Sequence, residues 1–346
     1  MTRRCGNKFR PPYPFSAISI AVLLVIWLHP RPLAAEELSN VRVATQFGLA
    51  YLPLIVMEHD QLWEKQAKAH GVDVKVEYSQ LGGGSTLNDA LISDSAEVVA
   101  GGIPPLLALW DHTRSNFDVR GLSALNISPI FLLSNRAAAK TVKDFDANDR
   151  IAVPAVRSGS IQSILLAMAA EQAYGPGQYH HFDDIEVAMQ HPDAFAALVS
   201  GGTPITAYFS SSPFQERALA NPKIHKVTDS FQIQGGPATF SVAYAKAKFV
   251  ENNPKLVAAY YDALNEAIAY IKLKPDAAID DYIVETNDKT DRALLMTILK
   301  GSYEFDPTPK NSMPIAAFMA HAGMIKNTPT SWKDYFFKGV QSLNGS

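Results

Sequence analysis

The run EVVAGGIPP, Glu97 to Pro105, decides the fold class. Glu97-Val98-Val99-Ala100 is a short apolar, partly β-branched run and reads as a strand. Gly101-Gly102 ends it. Pro104-Pro105 then opens a helix, because proline is tolerated in the first turn, where its missing N–H has no intrahelical partner to lose. A strand that passes through glycines straight into a helix is a building unit of α/β folds.

The same unit recurs on both sides. Before it, Val41-Arg42-Val43-Ala44-Thr45 alternates as a strand, and Leu52 to Lys68 has helical spacing closed by Gly71. Val72 to Tyr78 is a second strand, and Gly82-Gly83-Gly84-Ser85 leads into a short helix, Thr86 to Ile92. A new series starts after Ile130-Phe131-Leu132-Leu133. Its strands are Arg150 to Pro154, Ile185 to Met189 and Pro204 to Phe209; its helices are Val142 to Phe145, Ile161 to Ala173, Asp193 to Val199, and one running from Ser210 through Leu219. Thr239 to Ala243 returns as a strand. From Asn253 the chain reads as almost all helix, with Pro254, Pro275 and Pro314 at starts. The expected architecture is α/β with two lobes, each a mainly parallel sheet flanked by helices, joined by two connecting hinge strands. Residues 36–131 and 239–346 form lobe 1 in this reading, and 132–238 form lobe 2, an insertion able to close like a hinge.

Composition narrows the function. The 346 residues carry 31 Lys+Arg against 34 Asp+Glu, with 47 % hydrophobic and 19 % charged residues. A chain that is not basic argues against a nucleic-acid binder. The single cysteine, Cys5, excludes an intrachain disulfide and any cysteine-built zinc or iron–sulfur site.

The N-terminus reads as a secretory signal peptide over 1–35. Arg3, Arg4, Lys8 and Arg10 precede an apolar stretch, Phe15 to Leu28, and Leu33-Ala34-Ala35 offers a small-residue cleavage site. Removing residues 1–35 takes away five basic groups and no acidic one. That leaves 311 residues with 26 basic and 34 acidic groups, net −8, and no cysteine. A cysteine-free exported chain suits an oxidising compartment. The expectation is a soluble periplasmic protein with no second membrane-spanning run.

Four loops of small residues, Gly82–Thr86, Gly101–Pro104, Arg157–Gln162 and Ser210–Phe214, each follow a strand and lead into a helix. Ligands of open α/β sheets bind at such places, and free helix N-termini favour a small anion. Ser85, Thr86, Ser158, Ser160, Ser210 and Ser211 can add hydroxyl donors, although each serine before a helix is also a plausible N-cap. Phe47 and Tyr51 after the first strand, and Tyr208, Phe209 and Phe214 around the triple serine, can pack an organic body or fill the sheet core. Arg157 is the one cation within these loops and reads as solvated.

Catalytic patterns are weak. The glycine triplet is no dinucleotide fingerprint, since its third required position is Leu87, and no Walker lysine follows any glycine loop. Ser158-Gly159-Ser160 lacks the leading glycine of a nucleophile elbow. His180-His181 with Asp183-Asp184 reads as a solvated loop, not a metal site. His191 before Pro192 reads as a turn residue that could line the cleft. Asn126-Ile127-Ser128 is a glycosylation sequon by pattern only. No enzyme, cofactor or metal is expected.

The order of these pieces resembles the periplasmic substrate-binding proteins of nitrate, taurine and alkanesulfonate ABC importers. The resemblance rests on Val41-Arg42-Val43-Ala44 with Gln46-Phe47-Gly48, then Leu87-Asn88-Asp89-Ala90-Leu91 with the run from Glu97 to Pro105. Val142-Lys143-Asp144-Phe145 before Arg150-Ile151-Ala152-Val153, the Ser158-Gly159-Ser160 loop, Ala194 to Leu198, Ala207-Tyr208 and Ser212-Pro213-Phe214 follow in order. It implies a two-lobed periplasmic binding protein of type II that captures a small anionic solute by hinge closure and delivers it to the permease's transmembrane subunits, as a monomer. The ligand loops it implies contain Gln46 and Phe47; Gly83, Gly84 and Ser85; Gly102, Ile103 and Pro104; Ser158, Gly159, Ser160 and Gln162; and Ser211 and Phe214, with Tyr51 beside them. Ser212 stands where many relatives of that type carry an acid, so a sulfonate or carboxylate is expected ahead of taurine. A second branch of the resemblance, the thiamine-pyrimidine family, implies a pyrimidine-binding transport component. A sensory receptor module would use the same hinge.

Overall fold

The structure is a computed structural model that describes residues 1–3, 6–9 and 37–346. The expected apolar signal stretch and its cleavage site lie outside the described residues. Among the described residues eleven strands form two sheets. They are β1 (Asn40–Thr45), β2 (Lys75–Gln80), β3 (Val98–Gly102), β4 (Arg120–Ile127), β5 (Phe131–Ser134), β6 (Ile151–Val153), β7 (Glu186–Ala188), β8 (Ala207–Ser210), β9 (His225–Asp229), β10 (Thr239–Ala245) and β11 (Glu304–Phe305). The six-stranded sheet has the order β11-β4-β10-β3-β1-β2, and the five-stranded sheet β7-β6-β8-β5-β9.

Most strands of each sheet share one direction, as expected. In the first, β1 to β4 run together and β10 and β11 run against them. In the second, β5 alone is reversed. The reversed strands β5 and β10 are those on which the chain enters the second sheet and returns to the first. The outward path is Ser128-Pro129-Ile130, and the return runs from Gly235 to Ala238.

Packing follows from side-chain periodicity. Along β8, Tyr208 faces one apolar cluster while Ala207 and Phe209 face the other, the period-2 alternation of a strand buried on both sides. The larger cluster runs without interruption from Val41, Trp63 and Tyr244 in the first lobe into Ile161, Leu165 and Phe209 in the second. Phe47, from the first lobe, packs against the smaller cluster of the second. The two sheets and their helices therefore pack against each other.

Three local differences from the sequence reading have physical causes. The helix over Leu52–Lys68 is two helices, Leu52–His59 and Leu62–Ala69. Gln61 sits between them in the left-handed region at φ 48, and neither glycine nor proline signals it. Beyond the break the Trp63 indole N–H donates to the Leu256 carbonyl at 2.9 Å. The helix expected from Thr86 begins at Gly84, with Gly83 at its N-cap. β9 was not foreseen: it is a half-buried edge strand with little apolar pattern.

Candidate functional site

Three of the four small-residue loops, Gly82–Thr86, Gly101–Pro104 and Arg157–Gln162, meet one another, and the fourth, Ser210–Phe214, meets Gly48 and Leu49. A methyl group built on Gly83 would lie 2.8 Å from the Pro154 carbonyl oxygen, and one on Gly84 would lie 2.5 Å from that of Gly159. One on Gly102 would lie 3.1 Å from Ile161 Cβ, and one on Gly159 would lie 2.3 Å from Ser85 Oγ. Gly48 adopts φ 118, a conformation that favours glycine, and a Cβ there would lie 2.8 Å from the Ser212 carbonyl oxygen. The Leu49 amide donates to that same carbonyl at 3.1 Å. Five of the expected positions, Gly83, Gly84, Ser85, Gly102 and Gly159, thus lie together in one seam, and Gly48 and Ser212 extend it.

Three helices of eight or more residues begin on this seam: Gly84–Ile92, Ile103–Thr113 and Ile161–Tyr174. Their N-termini carry partial positive charge and orphan N–H groups. They are not equal. Pro104 and Pro105 remove two of the first three N–H groups of the second helix, so that helix contributes shape more than donors. The first helix keeps the amides of Gly84, Ser85 and Thr86, while the third keeps those of Ile161 and Gln162.

The serines divide by what they already bond. Ser160 is an N-cap: its Oγ donates to the Ala155 carbonyl and accepts from the Ser163 amide at 3.2 Å. Ser212 Oγ donates to Glu216 Oε1 at 2.7 Å and accepts from Gln215 Nε2 at 3.0 Å. Ser210 points to the Ser211 carbonyl at 3.4 Å. Ser85 is exposed and Ser158 half-buried at the rim. Gln46 and Gln162 are buried. Gln46 Nε2 lies 3.1 Å from where a Cβ on Gly101 would stand.

The aromatic side chains separate likewise. Tyr51, Tyr208 and Phe209 are at most 2 % exposed and belong to the core. Phe47 is half-buried and crosses the seam, and Phe214 is 6 % exposed beneath it. Arg157 is exposed, at φ 55. His180 pairs with Asp183 at 2.7 Å on the surface, and His181 stacks on Tyr174. Asn126 is fully buried; its Nδ2 donates to the Ala50 carbonyl at 2.8 Å and to Ser241 Oγ, which leaves no accessible acceptor for a glycan.

At two polar groups the structure departs from the sequence reading. His191 is no turn residue: it opens a helix, is 2 % exposed, and stands between Tyr208 and Ser211. Glu216 brings a carboxylate to Ser212, one helical turn beyond the position where an acid was missing. Burial holds its carboxyl above the usual carboxylate range, and its Oε2 has no partner among the described residues. The i,i+4 spacing of Ser212 and Glu216 is the sequence signal that could have found it. On the flank, Glu186 accepts from Ser163 Oγ at 2.6 Å, and burial pushes its pKa up to about 7. Among the described residues there is no cluster able to hold a metal and no helix long and apolar enough to cross a membrane.

Residues 34–286 match the NMT1-like family. The chain belongs to that family. Solved structures share its fold. The alkanesulfonate-binding protein SsuA from Xanthomonas axonopodis pv. citri, bound to MOPS, is 16 % identical; the match covers 85 % of this chain and 96 % of that one at a TM-score of 0.66. The periplasmic aliphatic sulphonate binding protein SsuA from Escherichia coli is 16 % identical over 88 % and 99 % of the two chains, TM-score 0.65. The periplasmic nitrate-binding protein NrtA from Synechocystis PCC 6803 is 14 % identical over 87 % and 85 %, TM-score 0.63. A search among curated proteins gives no significant match. This NMT1-like chain therefore has the two-lobed periplasmic binding protein fold that its element order led us to expect.

Proposed function

We propose that the chain is the extracytoplasmic solute-binding component of an ABC importer. It captures a small organic anion, a sulfonate or carboxylate, between lobes divided at 131/132 and 238/239. Closure about the two crossings presents the loaded form to the permease's transmembrane subunits. The chain acts as a monomer in the periplasm after losing residues 1–35, without cofactor and without turnover.

The observation that carries this reading is the convergence of neutral donors on the seam. Two helix N-termini begin on it, Ser211 Oγ lies 3.7 Å from where a Cβ on Gly48 would stand and Gln46 Nε2 3.1 Å from one on Gly101, while the loops' one cation, Arg157, stays exposed. Amides and hydroxyls backed by helix dipoles stabilise an anion without a counter-charge. Phe47 offers the apolar surface that an organic body needs.

A thermal-shift panel on residues 36–346 tests it, using ethanesulfonate, acetate, nitrate, taurine and a hydroxymethylpyrimidine. A ligand at a thousand times its Kd stabilises by about 4 kcal/mol, a shift of several degrees at this size. The expected result is a shift with a sulfonate or carboxylate and unchanged ligand on recovery. A shift with the pyrimidine alone, or chemical conversion of the ligand, overturns the reading.

A further inference from the structure

Tyr208, His191 and Ser211 form a polar chain that starts in the core of the second lobe and ends at the seam. His191 Nδ1 meets the Tyr208 hydroxyl, and its Nε2 lies 3.2 Å from Ser211 Oγ. The imidazole stacks on Phe214, ring centres 5.6 Å apart and planes 14° apart, which fixes its orientation. Burial pulls its pKa down to about 3, so the ring is neutral at ordinary pH and carries one proton on one of its two nitrogens.

The surroundings choose which nitrogen. A buried phenol needs an acceptor for its proton. Ser210 also neighbours the phenol and acts on it as a donor; as acceptors Tyr208 has His191 Nδ1 and the His191 carbonyl oxygen, and the carbonyl is 3.5 Å away, at the limit of a hydrogen bond. The phenol therefore donates to Nδ1, and the ring proton sits on Nε2. That N–H donates to Ser211 Oγ. Ser211 then accepts from the histidine and keeps its own proton, for which the described residues supply no acceptor. Its Oγ faces the seam, 3.7 Å from where a Cβ on Gly48 would stand.

We propose that His191 is a positioning residue, which through the order Tyr208–His191–Ser211 makes the Ser211 hydroxyl an obligate donor toward the ligand. The opposite tautomer would draw the serine proton onto Nε2 and present only lone pairs, which repel an anion. His191 thereby selects an acceptor ligand over a donor ligand without contributing charge. The inference rests on the anion reading for its consequence, and on the geometry together with the burial that keeps the ring neutral for the tautomer.

Two readouts test it separately. The first is long-range 1H–15N correlation on the 15N-histidine-labelled chain without added ligand, with His191 identified by loss of its signal in H191Q. We expect a neutral ring with its proton on Nε2 from pH 5 to 8; a proton on Nδ1, or protonation in that range, overturns the proposal. The second is titration with ethanesulfonate and acetate. S211A and H191F are expected to weaken the anion that binds by about three- to tenfold, the worth of one neutral hydrogen bond. H191Q, whose amide nitrogen can take the place of Nε2, should stay within about twofold. H191F that folds and binds like wild type contradicts a positioning role. If the wild type binds neither anion, the anion reading falls, and the tautomer measurement still decides whether His191 orients Ser211.

Discussion

The Leu49 amide of the first lobe donates to the Ser212 carbonyl oxygen of the second across 3.1 Å. Side chains have no part in this bond, and it forms only because Gly48, at φ 118, lets the backbones come so close. Gly48→Ala meets both the strained conformation and the Ser212 oxygen. We predict a loss of about 1–3 kcal/mol in the closed form. Small-angle scattering should give G48A a larger radius of gyration than wild type, and an unchanged radius would contradict closure through this contact.

A second prediction concerns acid and base. Burial raises Glu186 to about 7, and Glu58 is likewise raised to about 7 by burial, then by Glu285 and Glu64. A carboxyl whose folded pKa exceeds its unfolded value binds more protons when folded. Its contribution is full below about pH 4.5 and lost as pH rises through 7. Glu186→Gln keeps an acceptor for Ser163 and removes the charge. Thermal unfolding should show E186Q gaining on the order of 1–3 kcal/mol over wild type at pH 8 and little at pH 4. Equal differences at both pH values would sink the assignment. Glu58 leaves a residual slope of the same sign.

His191 acts in the opposite sense. Its folded pKa, lowered to about 3, means the unfolded chain takes up the proton first, so stability falls as pH drops from about 6.5 toward 3. H191Q should unfold less steeply with acid than wild type over that window, measured by chemical denaturation. A wild-type stability that is flat between pH 6.5 and 4 once the carboxylates are accounted for would argue against a buried neutral ring.

Glu216 bears on the solute. It restores an acid beside Ser212 but shares Oε1 with Ser212 and Gln215 inside the fold. If the solute lacks an amine, Glu216→Gln should bind ethanesulfonate within about twofold of wild type, since no charge pair is broken. Taurine binding that exceeds ethanesulfonate tenfold in wild type and collapses in E216Q would reverse that conclusion.

Much of the fold is readable in the sequence because it depends on local patterns. The apolar run at Val98, the glycine pair and Pro104-Pro105 specify strand, turn and helix within nine residues. The direction of β5 and β10 is not readable, since alternation of side chains is the same whichever way a strand runs. The loops around Gly83 and Gly159 were legible as small-residue turns before helices. Their meeting is a contact between residues about seventy positions apart, which local pattern does not report. Ser160 looked like a ligand donor because a capping serine and a binding serine have the same local signature. The bonding of His191 and the presence of Glu216 were not legible because their partners are distant in sequence or sit one helical turn away, where periodicity alone does not report function.

Isothermal titration of residues 36–346 with ethanesulfonate and acetate, with Gln162→Ala and Ser85→Ala alongside, tests the central claim most directly. The account predicts one site per chain for a sulfonate or carboxylate, weakened in both variants. Anion binding untouched by either substitution, or binding confined to the pyrimidine, would contradict a seam built to hold an organic anion.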